Sequence, residues 1–310
     1  MTKVFIDGSA GTTGLRIYER LASRCDIELL SLPEALRKDT SARREAMNGA
    51  DVVFLCLPDA AAREAVMLVD NPSTAIIDTS TAHRTAEGWT YGFPELHGQR
   101  EAITLSKRIA NPGCHATGFI SLVRPMTEMG ILPSDSLLSC FSLTGYSGGG
   151  KSMIAQYEGS EKTAQMTSPG IYGIGQSHKH LPEMAKLCAL EYYPIFSPIV
   201  DDYYSGMATT VPLHISQLKG IDSLERLRQL FADYYKGEKL VTVAEGFEPS
   251  DKYYGGGMAG LDSLRIHIAG NDERFTLTAI FDNLGKGASG AAIQNMNILL
   301  GFPEDTGLRR

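Results

Sequence analysis

Residues 3–22, KVFIDGSAGTTGLRIYERLA, run from an apolar strand through Gly8, Gly11 and Gly14 into a segment of helical spacing. A strand that enters a helix through a glycine turn is the opening of a βα unit that binds nucleotides. Glycines let the backbone turn tightly and approach a pyrophosphate, whose charge meets free N–H groups and the positive end of the helix dipole. GxxGxxG differs from the commoner GxGxxG, and by itself it also suits a glycine-rich turn in any α/β protein. Gly8, Ser9, Gly11, Thr12, Thr13 and Gly14 are the candidate cofactor contacts here. On the helix, Leu15, Tyr18 and Leu21 are expected to share the buried face.

The alternation continues with IELLSLP, KDTSARREAMNGA, DVVFLCLP, DAAAREAVMLVD and TAIIDTS. Strands apolar throughout and separated by helices predict a parallel sheet covered on both faces, a doubly wound α/β Rossmann domain. The second strand ends in Ser31 with Arg37 and Lys38 close behind, where NAD binders usually carry an acidic residue. A hydroxyl and two cations suit a 2′-phosphate, so NADP(H) is expected over NAD; the two cations equally suit a solvated loop. Leu57 and Pro58, ending the third strand, complete the candidate cofactor contacts. Beyond about residue 135, strands LLSCFSLTG, PIFSPIV, MATTVPLHI, LVTVA, SLRIHIAG and RFTLTAIFD with few crossovers predict an α+β domain on a mixed or antiparallel sheet. The closing KGASGAAIQNMNILLGF reads as a helix that packs back on the first domain.

At 310 residues the chain exceeds one ordinary core. A net charge of −7 argues against a nucleic-acid or anionic-membrane partner, which would need a basic surface. No run approaches the roughly 18 apolar residues of a membrane span, and the start passes directly into a strand, unlike a signal peptide. Cys25, Cys56, Cys114, Cys140 and Cys188 form an odd set without a CxxC pair, as expected of free thiols in a reducing cytoplasm and of no structural zinc.

Of these, Cys114 alone lies where packing does not account for it. In RIANPGCHATGF, proline disfavours helix at Asn111, Gly113 allows a sharp turn, and HATGFISLV continues as a helix. A thiol at a helix mouth is acidified by free amides and the dipole, which marks Cys114 as a candidate nucleophile, against a small residue filling a tight turn. Its proton partner is sought among seven histidines. His115 is adjacent but points elsewhere on a helix. In QSHKHLPEM, His178 and His180 are expected on an extended lead-in, on one side, with Leu181 extended and Glu183 in the first turn of the next helix. That cluster suits catalysis or substrate binding; a metal is disfavoured because no third His or Cys ligand is near. TGYSGGGKS, Thr144 to Ser152, offers N–H groups, hydroxyls and Lys151 to an anion, or is a flexible loop. Arg84 in DTSTAHRT, at a strand's carboxyl end, could grip an anion bidentately.

The glycine turn, NPGC, TGYSGGGKS, HKHLPE and DNLGKGASGAAIQN occur in this order and together resemble the N-acetyl-gamma-glutamyl-phosphate reductases of arginine biosynthesis, in particular their shorter bacterial type. NPGC and DNLGKGA are also similar to the wider semialdehyde dehydrogenase group. The resemblance implies an NADP-binding Rossmann domain, residues 1–113 completed by 285–310, and a catalytic and oligomerisation domain, 114–284. It implies Cys114 as the nucleophile on an acyl-phosphate substrate and His178 as the acid/base, with His180 and Glu183 in support of that group or the substrate. It further implies Ser147, Gly148 and Arg84 at the substrate and Asn283 at the nicotinamide; the extended sheet of the second domain suits the interface of a homodimer or homotetramer. SGGGKS and STAHR depart from the SGAGR-like and SADFR patterns of the longer type. The alternatives are an aspartate-semialdehyde dehydrogenase, a lysine-pathway homologue, a cysteine hydrolase or acyltransferase, and an NADP-binding sensor.

Overall fold

The computed structural model describes residues 1–310 in two compact units, Met1–Pro112 with Ala288–Leu308, and Gly113–Gly287 with Arg309–Arg310. In the first unit the strands are β1 (Thr2–Asp7), β2 (Ile27–Leu30), β3 (Val52–Leu55), β4 (Ala75–Asp78), β5 (Thr90–Tyr91) and β6 (Arg108–Ala110). All pair in parallel, in the order β2-β1-β3-β4-β6-β5. Alternate side chains of these apolar strands feed two cores, one on each face. Val4, Ile6, Val52, Phe54 and Ile77 meet Ile17 and Leu21 of α1 (Thr12–Leu21) and Ile103 of α4 (Gln99–Leu105). Phe5, Val53, Leu55 and Ile76 meet Met47 of α2 (Thr40–Asn48) and Ala62 and Ala65 of α3 (Asp59–Val66).

The second unit carries α5 (Cys114–Glu128), β7 (Ser139–Gly145), α6 (Gly150–Glu158), β8 (Gly170–Ile171), α7 (Leu181–Leu187), β9 (Ile195–Asp201), β10 (Met207–His214), α8 (Leu224–Tyr234), β11 (Val241–Val243), β12 (Leu264–Gly270) and β13 (Arg274–Phe281). Its seven strands run β11-β12-β13-β10-β7-β9-β8. The sheet is mixed: β7 pairs with β9 in parallel, while β10 is antiparallel to both β7 and β13. Helix α5 lies across β10 and β13, with α7 against it. The other face of the sheet is less covered, and Phe141 and Ile195 project from it exposed.

The last helix, α9 (Gly290–Leu299), belongs to the first unit, where Ala292, Ile293 and Met296 complete the core on the α1 side. A π-helical turn over Gly285–Ser289 precedes it, so the change of unit falls inside this turn, at 287/288.

Three local readings change. Leu15 and Tyr18 are exposed, and the buried face of α1 is Gly14, Ile17 and Leu21, one position round the helix. The glycine-rich TGYSGGGKS is a short 3-10 turn at Tyr146–Gly149 leading directly into α6, so its small residues start a helix. Leu181 is the first residue of α7, and His180 is already in helical geometry.

Gly118 shows how closely α5 is laid on its sheet. A Cβ there would overlap the side chain of Thr209 on β10 and crowd Phe281 on β13. Gly118→Ala should therefore cost roughly 1–3 kcal/mol through overpacking, read as a lower urea midpoint at unchanged slope. A wild-type midpoint would show that the helix can lift off the sheet freely.

Candidate active site

In the first unit, the glycine turn is built by close approach. Gly8 has φ +88, and a Cβ on it would overlap the carbonyl of Cys56 at the end of β3. A Cβ on Gly14 would overlap the Gly8 carbonyl, so α1 can start directly against the turn. The N-cap of α1 is Gly11, with no side chain capping it and no acidic residue in the first turn. Its leading N–H groups, with Thr12 and Thr13, are thus left for an anion. Beside the turn lies a cavity of about 660 Å³ lined by Gly8, Ser9, Leu15, Tyr18, Ser31 and Arg37, with Leu57 on its wall. The exposure of Leu15 and Tyr18 follows from this: they wall the cavity and leave the core to Ile17 and Leu21. Pro58 is the N-cap of α3. The residues present fit a dinucleotide carrying a 2′-phosphate near Ser31 and Arg37.

In the second unit, Gly113 is extended at φ −78 and ψ 146 and forms the N-cap of α5, which makes Cys114 its first residue. Cys114 is half-buried. The Gly113 N–H donates to Glu183 Oε1 at 2.8 Å, and Glu183 is buried in the first turn of α7. Glu183, expected to support the acid/base or the substrate, thus holds the turn that presents the thiol. On the other side of the turn, within the first unit, Asn111 donates from its backbone to Asp78 and from its side chain to the Ala288 carbonyl.

The histidines gather more tightly than their spacing suggested. His178 and His180 rings meet edge to face at 4.8 Å. His115, expected to point elsewhere, lies 5.6 Å from His178 and 5.7 Å from His180, centroid to centroid. It is buried and bonded on both nitrogens, to Ser142 Oγ and Tyr172 Oη, each at 2.7 Å. Burial first, then the nearby His178 and Lys179 charges, push its imidazole down to about 3. Burial, with Lys179 adding to it, brings His178 down to about 4. His178 Nδ1 accepts the backbone N–H of His180 at 3.2 Å, so the hydrogen-bond network assigns the proton of the neutral ring to Nε2. At neutral pH His178 is an N–H donor.

The remaining candidates are braced by the protein itself. Ser147 is buried and accepts from Asn283 Nδ2 at 3.0 Å, while Asn283 Oδ1 accepts the Gly206 N–H at 2.8 Å. Gly148 packs against the same Asn283 amide. Asn283, expected at the nicotinamide, here supports the Ser147–Gly148 turn from behind. Arg84, expected to grip an anion with its fork, gives Nε to the Asn111 carbonyl at 2.9 Å and Nη2 to the Thr79 carbonyl at 3.1 Å. Next to it, His83 Nδ1 lies 2.6 Å from the buried Asp78 and its ring stacks on Trp89. Sequence reasoning missed His115, Tyr172, Ser142 and this Asp78–His83 pair. Only adjacency to Cys114 hinted at the first, and nothing in the spacing at the others.

Two family models match the chain: the semialdehyde dehydrogenase NAD binding domain over residues 3–105 and the semialdehyde dehydrogenase dimerisation domain over 114–283. N-acetyl-gamma-glutamyl-phosphate reductase 2 of Nostoc sp. is 48% identical, with 99% of each chain covered. N-acetyl-gamma-glutamyl-phosphate reductase of Chelativorans sp. is 47% identical, with 96% of this chain and 98% of the relative covered. Among solved structures, aspartate semialdehyde dehydrogenase II of Vibrio cholerae superposes with a TM-score of 0.72 at 16% identity, covering 97% of this chain and 98% of the other. No helix is long and apolar enough to cross a membrane.

Burial of a neutral His115 has a measurable cost in acid. Unfolded, it titrates near 6.5, and folded near 3, so between those values the unfolded chain binds a proton the native one refuses. Its contribution to stability is complete above pH 6.5 and is lost as pH falls toward 3. Urea unfolding measured from neutral to mildly acid pH should show this decline, flattened in His115→Gln. An equal slope in both proteins would remove His115 from the groups responsible.

Proposed function

The chain belongs to the N-acetyl-gamma-glutamyl-phosphate reductases of the semialdehyde dehydrogenase family, and from that premise we propose how its own residues carry the reaction. The protein reduces N-acetyl-L-glutamyl 5-phosphate to N-acetyl-L-glutamate 5-semialdehyde and phosphate with NADPH, a step of arginine biosynthesis. Near-full-length identity to such reductases, with a cysteine at the mouth of α5, is the observation that carries this reading.

Cys114 attacks the acyl carbon as the thiolate. A carbon–sulfur bond forms, the bond from carbon to the phosphate oxygen breaks, and phosphate leaves with the electron pair and takes a proton from water. NADPH, when bound on the first unit, supplies the hydride that reduces the thioester carbonyl. The tetrahedral alkoxide on Cys114 then collapses to the aldehyde and expels the thiolate, which completes the cycle. The Cys114 N–H and its neighbours at the start of α5 serve the oxyanion at each addition.

His178 enters as a donor. With Nδ1 engaged by the His180 N–H, its Nε2–H faces developing negative charge as a neutral imidazole, a role that a pKa near 4 permits at neutral pH. Ser147, Gly148 and His180 shape the substrate subsite of the second unit, with Asn283 behind the Ser147 turn. Ser31 and Arg37, on the wall of the cofactor cavity, favour NADPH over NADH. The open face of the second unit's sheet, with Phe141 and Ile195 exposed, and a family model named for dimerisation support a homodimer. Five free cysteines suit the cytoplasm.

Mixing the enzyme with N-acetylglutamyl phosphate without NADPH should leave an acyl group on the Cys114 peptide, detected by mass spectrometry. Cys114→Ser should carry none and turn over at least about a thousandfold more slowly while still binding NADPH. An unacylated wild-type peptide would end the covalent scheme. The donor role of His178 separates two substitutions. His178→Gln, which keeps an N–H, should lose less kcat than His178→Leu, which should fall by about 10²–10³. Equal losses would assign His178 to proton transfer instead.

A further inference from the structure

The strand that leads to the histidine pair stops short on the edge of the second unit's sheet. β8 pairs antiparallel with β9, Gly170 opposite Val200 and Ile171 opposite Ile199, and the Tyr172 N–H still donates to the Pro198 carbonyl. Pro198 has no N–H to return, so the ladder loses its next bond there. Continued, that register would set Ile174 opposite Phe196. The chain instead leaves in a turn closed by the Gln176 N–H on the Gly173 carbonyl at 3.0 Å, and Ile174 stands exposed. The turn ends in a left-handed residue that is not glycine: Gln176 has φ 53. Ala189, at φ 51, is the one other such residue, and it closes α7, where Leu190 and Ala189 donate back to Ala185 and Lys186. No helix ends at Gln176. What holds it there is its own side chain, folded back on β9: Nε2 donates to the Phe196 carbonyl at 2.8 Å and Oε1 accepts the Phe196 N–H at 2.9 Å. One primary amide thus supplies the donor and the acceptor that a neighbouring strand would have offered.

We propose that Gln176 is a positioning residue for His178, holding residues 173–179 on the sheet edge so that the imidazole keeps one orientation. This rests on the reading of His178 as the donor in the reaction. Gln176 ties together two residues that face each other. His178 lies two positions after it, and Phe196, whose backbone it grips, meets the His178 ring at 5.1 Å and 68°. Phe196 is buried on β9, so it is the fixed member and the loop the movable one. The His178 ring is also hemmed in by His115 at 5.6 Å and 88° and by Tyr172 at 6.1 Å and 60°. These contacts select one ring orientation only while the backbone of the loop stays in place. The bond from the His180 N–H to His178 Nδ1, at 3.2 Å, depends on that same backbone. Left-handed geometry is disfavoured at glutamine. Without its two bonds to Phe196 the turn would relax, and His178 would move with it.

Gln176 is exposed, so it can be replaced without disturbing the core. In Gln176→Ala kcat should fall by about tenfold, with KM for the acyl phosphate and binding of NADPH little changed. Gln176→Asn is at ease in left-handed backbone but too short to make both bonds, and it should fall as far. Wild-type turnover in that variant would make backbone conformation the cause and overturn the proposal. A clamp that acts through His178 has nothing left to position once the ring is gone, so Gln176→Ala should cost no more in a His178→Leu background. An equal loss in both backgrounds would mark a merely structural role and overturn the assignment. Ring orientation is read without substrate from long-range proton–nitrogen correlation spectra of the His178 imidazole. The wild type should show Nδ1 bare and Nε2 protonated, and Gln176→Ala a mixture of the two tautomers; an unchanged spectrum overturns the proposal. A His178→Leu enzyme with wild-type turnover would count against the donor reading instead, and the spectra would still decide the clamp.

Discussion

A single buried carboxylate ties together the two sequence motifs on which the second unit turns. Glu183, on the first turn of α7, accepts the N–H of Gly113, the residue that caps α5 and precedes Cys114. An uncapped glycine at a helix start could take several backbone conformations, and the thiol would move with each. The carboxylate removes that freedom. Because His178 and His180 lead into the same helix, one hydrogen bond sets the register of the cysteine turn against the histidine pair. The close seating of α5 at Gly118 fixes the other coordinate, the height of that turn above the sheet.

His115, on the first turn of α5, and His178, on the approach to α7, are both neutral imidazoles at neutral pH. The depressed acidity constants of His115 and His178 arise chiefly from burial, and they change the electrostatic logic of the site. An imidazolium beside a thiolate would be the simplest way to stabilise it, but two more positive rings so close would repel one another. Amides at the helix mouth and neutral N–H donors avoid that conflict.

The first unit was readable almost strand by strand, because a parallel sheet buried on both faces leaves long apolar runs and a glycine turn that local rules recognise. The position of Cys114 at a helix start followed in the same way from Pro112 and Gly113. Where reading from sequence fell short, the cause was tertiary. Leu15 and Tyr18 look like a core stripe because periodicity cannot tell a hydrophobic interior from the wall of a ligand cavity. The contacts of His115 depend on Ser142 and Tyr172, strands away in the chain, and no spacing rule reaches that far. Gly145 to Gly150 suggested a loop because glycine is a poor helix former, yet it starts α6. Glu183 and Arg84 also bond to backbone in ways no spacing rule shows: Glu183 accepts the Gly113 N–H, and Arg84 donates to the Asn111 and Thr79 carbonyls.

The return of α9 to the first unit has a consequence for how the chain is made. Its nucleotide-binding core lacks Ala292, Ile293 and Met296 until almost the whole polypeptide has left the ribosome. The strands emerge first and must wait, one apolar face uncovered, while all of Gly113–Gly287 is synthesised. During that interval the nascent sheet is a surface for chaperones and for misassociation, whereas the second unit, continuous but for its final two residues, can fold as it appears. A stop codon shortly before Gly290 would spare every strand and still leave the first unit without its last wall.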